Sequence, residues 1–181
     1  MNETTVVHAT LVFQRSIPAT TEQVFTAYAD VAERQGWGTP SDKTALIYDK
    51  ADFREGGEDA FRCGSKANPN IHGATRYLEI LLNRRIVSSE TITVDGRRLC
   101  VSLTTLELYP DGDHTKLKNT TQLVSFVGTD MVKGHENGTN DSLDNLVKFF
   151  STRTTARAAC AFPQPSKSPV LPKYQVRHSL N

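Results

Sequence analysis

Cysteine is scarce: Cys63, Cys100 and Cys160 stand far apart in 181 residues, and no two form a C-x-x-C pair. That excludes a disulfide framework and a cysteine-based zinc site, and it fits reduced thiols in a reducing compartment. Long apolar runs are missing too. None approaches the ~18 residues needed to cross a bilayer, and the opening Met-Asn-Glu-Thr-Thr has neither the basic start nor the apolar core of a signal peptide. A cytoplasmic protein with no membrane span is expected. The Asn-x-Ser/Thr sites at Asn2, Asn119, Asn137 and Asn140 are then chance matches in a Thr-rich chain.

The usual catalytic signatures are equally absent. There is no G-x-S-x-G elbow, and the glycine pairs Gly36/Gly38 and Gly56/Gly57 make neither a phosphate loop nor a dinucleotide fingerprint. His135-Glu136 lacks the second histidine of H-E-x-x-H, and His8, His114 and His178 show no metal-ligand spacing. No metal and no cofactor are expected. Nor is there an excess of charge: the formal net charge is +1. Residues 151–181 carry Arg153, Arg157, Lys167, Lys173 and Arg177 and no acid, so the rest of the chain is mildly acidic. A nucleic-acid partner is therefore not expected.

What is present is a soluble composition, 38% hydrophobic and 23% charged, at the length of one ordinary domain. Its centre is the stretch Gly73 to Leu108, three β-rich runs in series. Asp95-Gly96 separates the second and third, and Asp-Gly between β-formers is the strongest short-range hairpin signal. A regular two-residue hairpin pairs Val94 with Arg97, Ile92 with Leu99, Glu90 with Val101 and Ser88 with Leu103. One face then carries Ile86, Glu90, Ile92, Val94, Leu99, Val101 and Leu103, an apolar surface that needs a cover. A short loop near Asn83 brings Arg76 roughly opposite Glu90, with His72 on the same face. The switch to Leu106 and Leu108 suggests a bulge near Thr104-Thr105.

Around that centre, residues 5–15 are a first strand, stopped by Ile17-Pro18. Thr20 or Thr21 caps a helix through Asp30, and a second short helix ends at Gly36, just before Trp37. Lys43–Lys50 and Asp59–Gly64 are strands, with a turn or bulge at 52–58 and a loop at 65–70. After the meander comes a strand from Thr115 to Phe126. A loop over 127–135 leads to a helix opening at Asn140 or Asp141. In it Leu143, Leu146, Val147 and Phe150 recur at i, i+3, i+4, i+7, the stripe that covers the sheet. Residues 151–181 hold four of the eight prolines and read as a basic, disordered tail beyond a domain spanning 5–150. The expected architecture is α+β: a curved antiparallel sheet of six or seven strands around a long C-terminal helix, with two short helices after the first strand.

Several ordered segments carry a family resemblance. They are Arg15-Ser-Ile-Pro-Ala-Thr-Thr-Glu-Gln-Val-Phe-Thr-Ala-Tyr, Gly36-Trp37, Phe53-Arg-Glu-Gly-Gly-Glu and Gly73-x-x-Arg-Tyr-Leu-Glu-Ile. Val94-Asp-Gly-Arg-Arg, Leu106-Glu-Leu-Tyr-Pro-Asp-Gly-Asp-His-Thr-Lys-Leu and Leu143-Asp-Asn-Leu complete the series. The set resembles the bacterial proteins similar to the C-terminal domain of the heat-shock protein 90 ATPase activator. These belong to the START-type, helix-grip (SRPBCC) superfamily. The resemblance implies a helix-grip fold with a hydrophobic cavity, and a chaperone as a protein partner. It leaves function open, because one fold serves many activities.

The candidate ligand contacts are Trp37, Phe53, His72, Arg76, Glu90, Val101 and Leu103. Arg76 and Glu90 are either polar anchors in an apolar pocket or an architectural ion pair. His72 is either a base beside that pocket or a surface residue at a strand end. Trp37 and Phe53 line the pocket or simply fill the core. The leading expectation is a binding protein for a small hydrophobic or amphipathic molecule. A cyclase- or hydrolase-type enzyme using the same cavity and a co-chaperone-like interaction protein are the alternatives.

Overall fold

The strand-forming runs pair in a meander. The structure is a computed structural model and describes residues 6–39, 41 and 43–160, with side chains up to Arg153. The order is β1 (Val7–Ile17), α1 (Thr21–Ala29), α2 (Val31–Gly38), β2 (Thr44–Lys50), β3 (Glu58–Ser65), β4 (Asn68–Leu81), β5 (Arg85–Val94), β6 (Arg97–Asp111), β7 (His114–Ser125) and α3 (Thr129–Cys160). The seven strands form one antiparallel sheet in the order β1-β7-β6-β5-β4-β3-β2. Chain neighbours pair throughout β2–β7, and the first strand closes onto the last. The expected α+β helix-grip architecture is present. No helix among the described residues is long and apolar enough to cross a membrane.

Local chemistry sets the element ends. The Thr20 hydroxyl accepts from the Gln23 N–H while the Gln23 side chain accepts from the Thr20 N–H, a reciprocal cap that starts α1. Asp30 ends α1 and caps α2 through the Glu33 N–H, 2.9 Å away. Asp95 and Gly96 both have positive φ, 50° and 75°, as the two-residue hairpin requires.

Four boundaries differ from the sequence expectation. First, α2 runs to Gly38, so Trp37 sits in its last turn, its indole N–H donating 3.0 Å to Ala27 O of α1. Second, the loop expected over 65–70 is a tight turn at Lys66-Ala67, and β4 begins at Asn68. Third, α3 begins at Thr129 and continues to Cys160, so residues 127–135 are mostly helix and 151–160 are helical. The rest of the expected tail, 161–181, lies outside the described residues. Fourth, the bulge on β6 is not at Thr104-Thr105.

That fourth difference reverses a face. Val94 pairs with Arg97 and Thr93 with Arg98, but Ile92 pairs with Cys100, leaving Leu99 as the extra residue of a bulge beside the turn. From there on Glu90 faces Ser102, Ser88 faces Thr104 and Ile86 faces Leu106. Because side chains alternate with period two, one inserted residue sends Val101 and Leu103 to the convex face, where Leu103 is 39% exposed. On β4 a second bulge falls between Tyr77 and Glu79. Thr75 pairs with Glu90 and Arg76 with Ser89, so Arg76 and His72 also point outward and are exposed. The expected Arg76–Glu90 pairing does not form.

Two apolar clusters hold the concave side. The larger joins α1, α2 and α3 to β1, β6 and β7 through Phe13, Ile17, Val24, Trp37, Leu106, Leu117, Leu143, Leu146 and Phe150. The smaller, Ile92, Cys100 and Leu123 with Phe61, Ile71, Met131 and Val132, lies under the start of α3. Arg15 clamps the helix to the sheet, donating 2.8 Å to Asp144 and 2.9 Å to Asn140.

Candidate functional site

Between those clusters the N-terminal half of α3 does not fill the space above the sheet. A cavity of about 550 Å³ remains. Its helical wall is Met131, Gly134, His135, Gly138, Thr139, Ser142 and Leu143, two of them glycines. Its floor is the inward side of the sheet: Leu46 and Tyr48 of β2, Asp59, Phe61 and Cys63 of β3, Thr75 and Tyr77 of β4, and Ser88, Glu90 and Ile92 of β5. Tyr28, Arg34 and Trp37 close it from α1 and α2, with Phe53 from the β2–β3 loop.

Aromatic packing shapes one end. Phe25, Phe53 and Tyr77 stack edge-on in series at 5.8 and 4.8 Å, and Tyr28 meets Trp37 at 4.8 Å. Gly73 lets the Phe61 ring lie flat on the neighbouring strand: a Cβ there would fall 2.0 Å from that ring. A larger hollow, about 740 Å³, lies outside, between the start of α1 and the end of the described part of α3. Surface groups such as Glu22, Glu33 and Asp113 wall it.

Two polar centres interrupt the inner cavity. The first is an ion pair from α2 to β3, between Arg34, 6% exposed, and Asp59, 1% exposed. Nη1 of Arg34 donates to Asp59 Oδ2 and to the Tyr77 hydroxyl; that hydroxyl donates 2.6 Å to Asp59 Oδ2, and the Asp52 N–H gives 2.8 Å to Oδ1. The guanidinium carbon stands 4.7 Å from the Tyr48 ring centre and 5.8 Å from that of Phe53. Burial opposes the Arg34 charge, but the surrounding tyrosines and Asp59 outweigh it and hold the group protonated. Burial also pushes the Tyr48 hydroxyl up to about 12 and Tyr77 higher still, so both remain neutral donors.

The second centre is Glu90. Burial drives its carboxyl above the ordinary range, and the Thr75 hydroxyl, donating 3.0 Å to Oε2, only partly offsets that. The surface that Glu90 keeps is cavity wall. His135 faces the same space from α3 and is pushed towards neutrality by burial. Burial first, and then the Glu90 charge, lifts the Cys63 and Cys100 thiols to about 11, far from a nucleophilic thiolate. Among the described residues no cluster of three or more His, Cys, Asp or Glu could hold a metal ion.

Of the seven sequence candidates, the structure brings Trp37, Phe53 and Glu90 together in the cavity wall. His72, Arg76, Val101 and Leu103 lie outside that wall, on the far side of the sheet, for the register reasons given above. Sequence reasoning missed Arg34, Asp59, Tyr48, Tyr77 and the helical face around His135. The signal the sequence offers is Tyr77, which alternates with Gly73 and Thr75 and so falls on the face opposite Arg76.

A family model described as "Activator of Hsp90 ATPase homolog 1-like protein" matches residues 18–151. Among solved structures, the Mll3558 protein of Rhizobium loti is 33% identical at a TM-score of 0.70, over 80% of this chain and 98% of that one. A protein of Rhizobium leguminosarum is 25% identical at a TM-score of 0.71, over 82% and 97%. Protein CV1439 of Chromobacterium violaceum, 22% identical at 0.66 over 78% and 96%, shares the fold. The comparison with curated proteins gives no match. With its family model spanning most of the chain and its helix-grip fold in place, this protein belongs to the activator of Hsp90 ATPase homolog 1-like family of the SRPBCC superfamily.

Proposed function

We propose that the protein is a binding module that holds a small, largely apolar molecule between the sheet and the N-terminal half of α3. Family and fold support a ligand-binding or co-chaperone-type role. The single observation that favours the first is the cavity itself, about 550 Å³ walled by aromatic and aliphatic side chains with few placed polar groups. Ligand sites are built that way. In this reading Trp37 and Phe53 are apolar contacts and Glu90 is a polar one. Among the described residues no thiolate is activated: burial holds Cys63 and Cys100 as thiols.

Ethylnaphthalene, an uncharged apolar probe, tests the reading through its fluorescence and through thermal stabilisation of the full chain. Gly138 lines the cavity and a Cβ there meets nothing within 4 Å, so Gly138→Leu should place its side chain in the cavity. It should abolish uptake, whereas Leu103→Ser on the convex face should leave uptake unchanged. Equal binding by wild type and Gly138→Leu would remove the cavity as the site. The co-chaperone reading rests on the family alone, and stimulation of a bacterial Hsp90 ATPase by the purified chain is its direct assay.

A further inference from the structure

The Arg34 guanidinium is only half engaged. Asp59 and Tyr77 both use Nη1, whereas Nε and Nη2 are buried and no described group accepts from them. Those two nitrogens share one rim of the planar group, the edge from which arginine directs two parallel N–H bonds at an oxygen function. Native proteins seldom leave such buried donors unmet, and Arg34 is part of the cavity wall.

Charge decides what kind of oxygen suits that edge. Arg34 is the sole Lys or Arg among the residues lining the cavity, and its charge is already matched by Asp59. Glu90 is a second acid in the same wall, and burial holds His135 towards neutrality. An ionised carboxylate on the guest would therefore add negative charge to a largely apolar space whose one lining cation is already paired. An uncharged carbonyl oxygen meets both N–H groups without that cost. The flanking rings of Tyr48 and Phe53 leave the approach apolar on either side.

Resting on the binding reading above, we propose that Arg34 is the polar anchor of the cavity. The guest class it selects is an uncharged, largely apolar molecule that sets a ketone, ester or amide oxygen against the Nε/Nη2 edge.

Three probes of one skeleton separate the possibilities near neutral pH: acetylnaphthalene with a neutral carbonyl, ethylnaphthalene with no acceptor, and naphthoate with a carboxylate. Titration of the full chain should show the ketone binding about ten-fold tighter than the hydrocarbon, the size expected of hydrogen bonds from a charged donor, and tighter than the carboxylate. Arg34→Lys keeps the charge beside Asp59 but loses the two-donor edge, so the ratio of ketone to hydrocarbon affinity should fall to about one. The double variant Arg34→Met/Asp59→Asn, which leaves no buried charge unpaired, should behave the same way if the lysine variant folds poorly. Equal affinity for ketone and hydrocarbon, or tighter binding of naphthoate, overturns the anchor while the binding reading stands. If none of the three binds, both readings fall together.

Discussion

Glu90 is held where a carboxylate is least favoured, and that gives the fold a pH signature. Its folded-state pKa is raised above the ordinary value of 4.5 by burial. The folded protein therefore holds the proton more tightly than the unfolded chain does. This contribution to stability is complete below the ordinary value and is lost as pH rises towards the raised one. Glu90→Gln removes the titration, so the variant should melt above wild type at neutral pH. The gap should close on acidification, as melting curves at a series of pH values will show; a gap that is constant with pH would assign the effect to another group. Glu90 was legible in the sequence, because an acid within an alternating apolar strand announces a buried polar site. Arg34 was not. In Val31-Ala-Glu-Arg-Gln-Gly it resembles any solvated helical arginine, and Asp59, which draws it inward, lies on a strand whose distance from α2 no local pattern encodes.

At the scale of elements, α3 is two helices in one. From Leu143 to Phe150 it is a packed amphipathic stripe, with Leu146 fully buried. From Thr129 to Ser142 it offers glycine, threonine and one histidine to an open space. The periodic pattern opens the helix only at Asn140 or Asp141 for this reason: where a helix roofs a cavity, its inward face needs no apolar stripe, so the periodic signal stops although the backbone does not. The two halves should answer mutation in opposite ways. Leu146→Ala should cost ~2–5 kcal/mol, as truncations at filled core positions do. Gly138→Ala meets no neighbouring atom and should stabilise the protein by ~0.5–1 kcal/mol, the usual difference between glycine and alanine inside a helix. Denaturant titration measures both. The α1 cap, the Asp95-Gly96 turn and the strand count were all readable because each depends on neighbours in sequence. The placement of Val101 and Leu103 was not, because a bulge is a compromise among three strands.

Across the whole molecule, the two apolar clusters stand at either end of the cavity like unequal piers. The larger one ties α1, α2 and the C-terminal half of α3 to the sheet; the smaller one is built on three buried residues, Ile92, Cys100 and Leu123. Local opening follows packing, so backbone amides of 129–142 should exchange with deuterium faster than those of 143–150. Binding of ethylnaphthalene should slow the first set and leave the second unchanged; uniform protection along α3 would contradict this picture. The fold class was legible from the ordered motifs spanning most of the chain, whereas the contents of the cavity depend on which residues a single irregularity turns inward.

Leu99 is that irregularity. The hairpin could close one rung out of step, as the unbroken alternation of Leu99, Val101 and Leu103 invites, and the room would then fill with the protein's own aliphatics. Excising Leu99 leaves Arg98 beside Cys100 and restores a regular ladder with Ile92 still facing Cys100. A chain one residue shorter should therefore lodge the same guest. The oiliest residue at the bend is the one whose loss the interior would not notice.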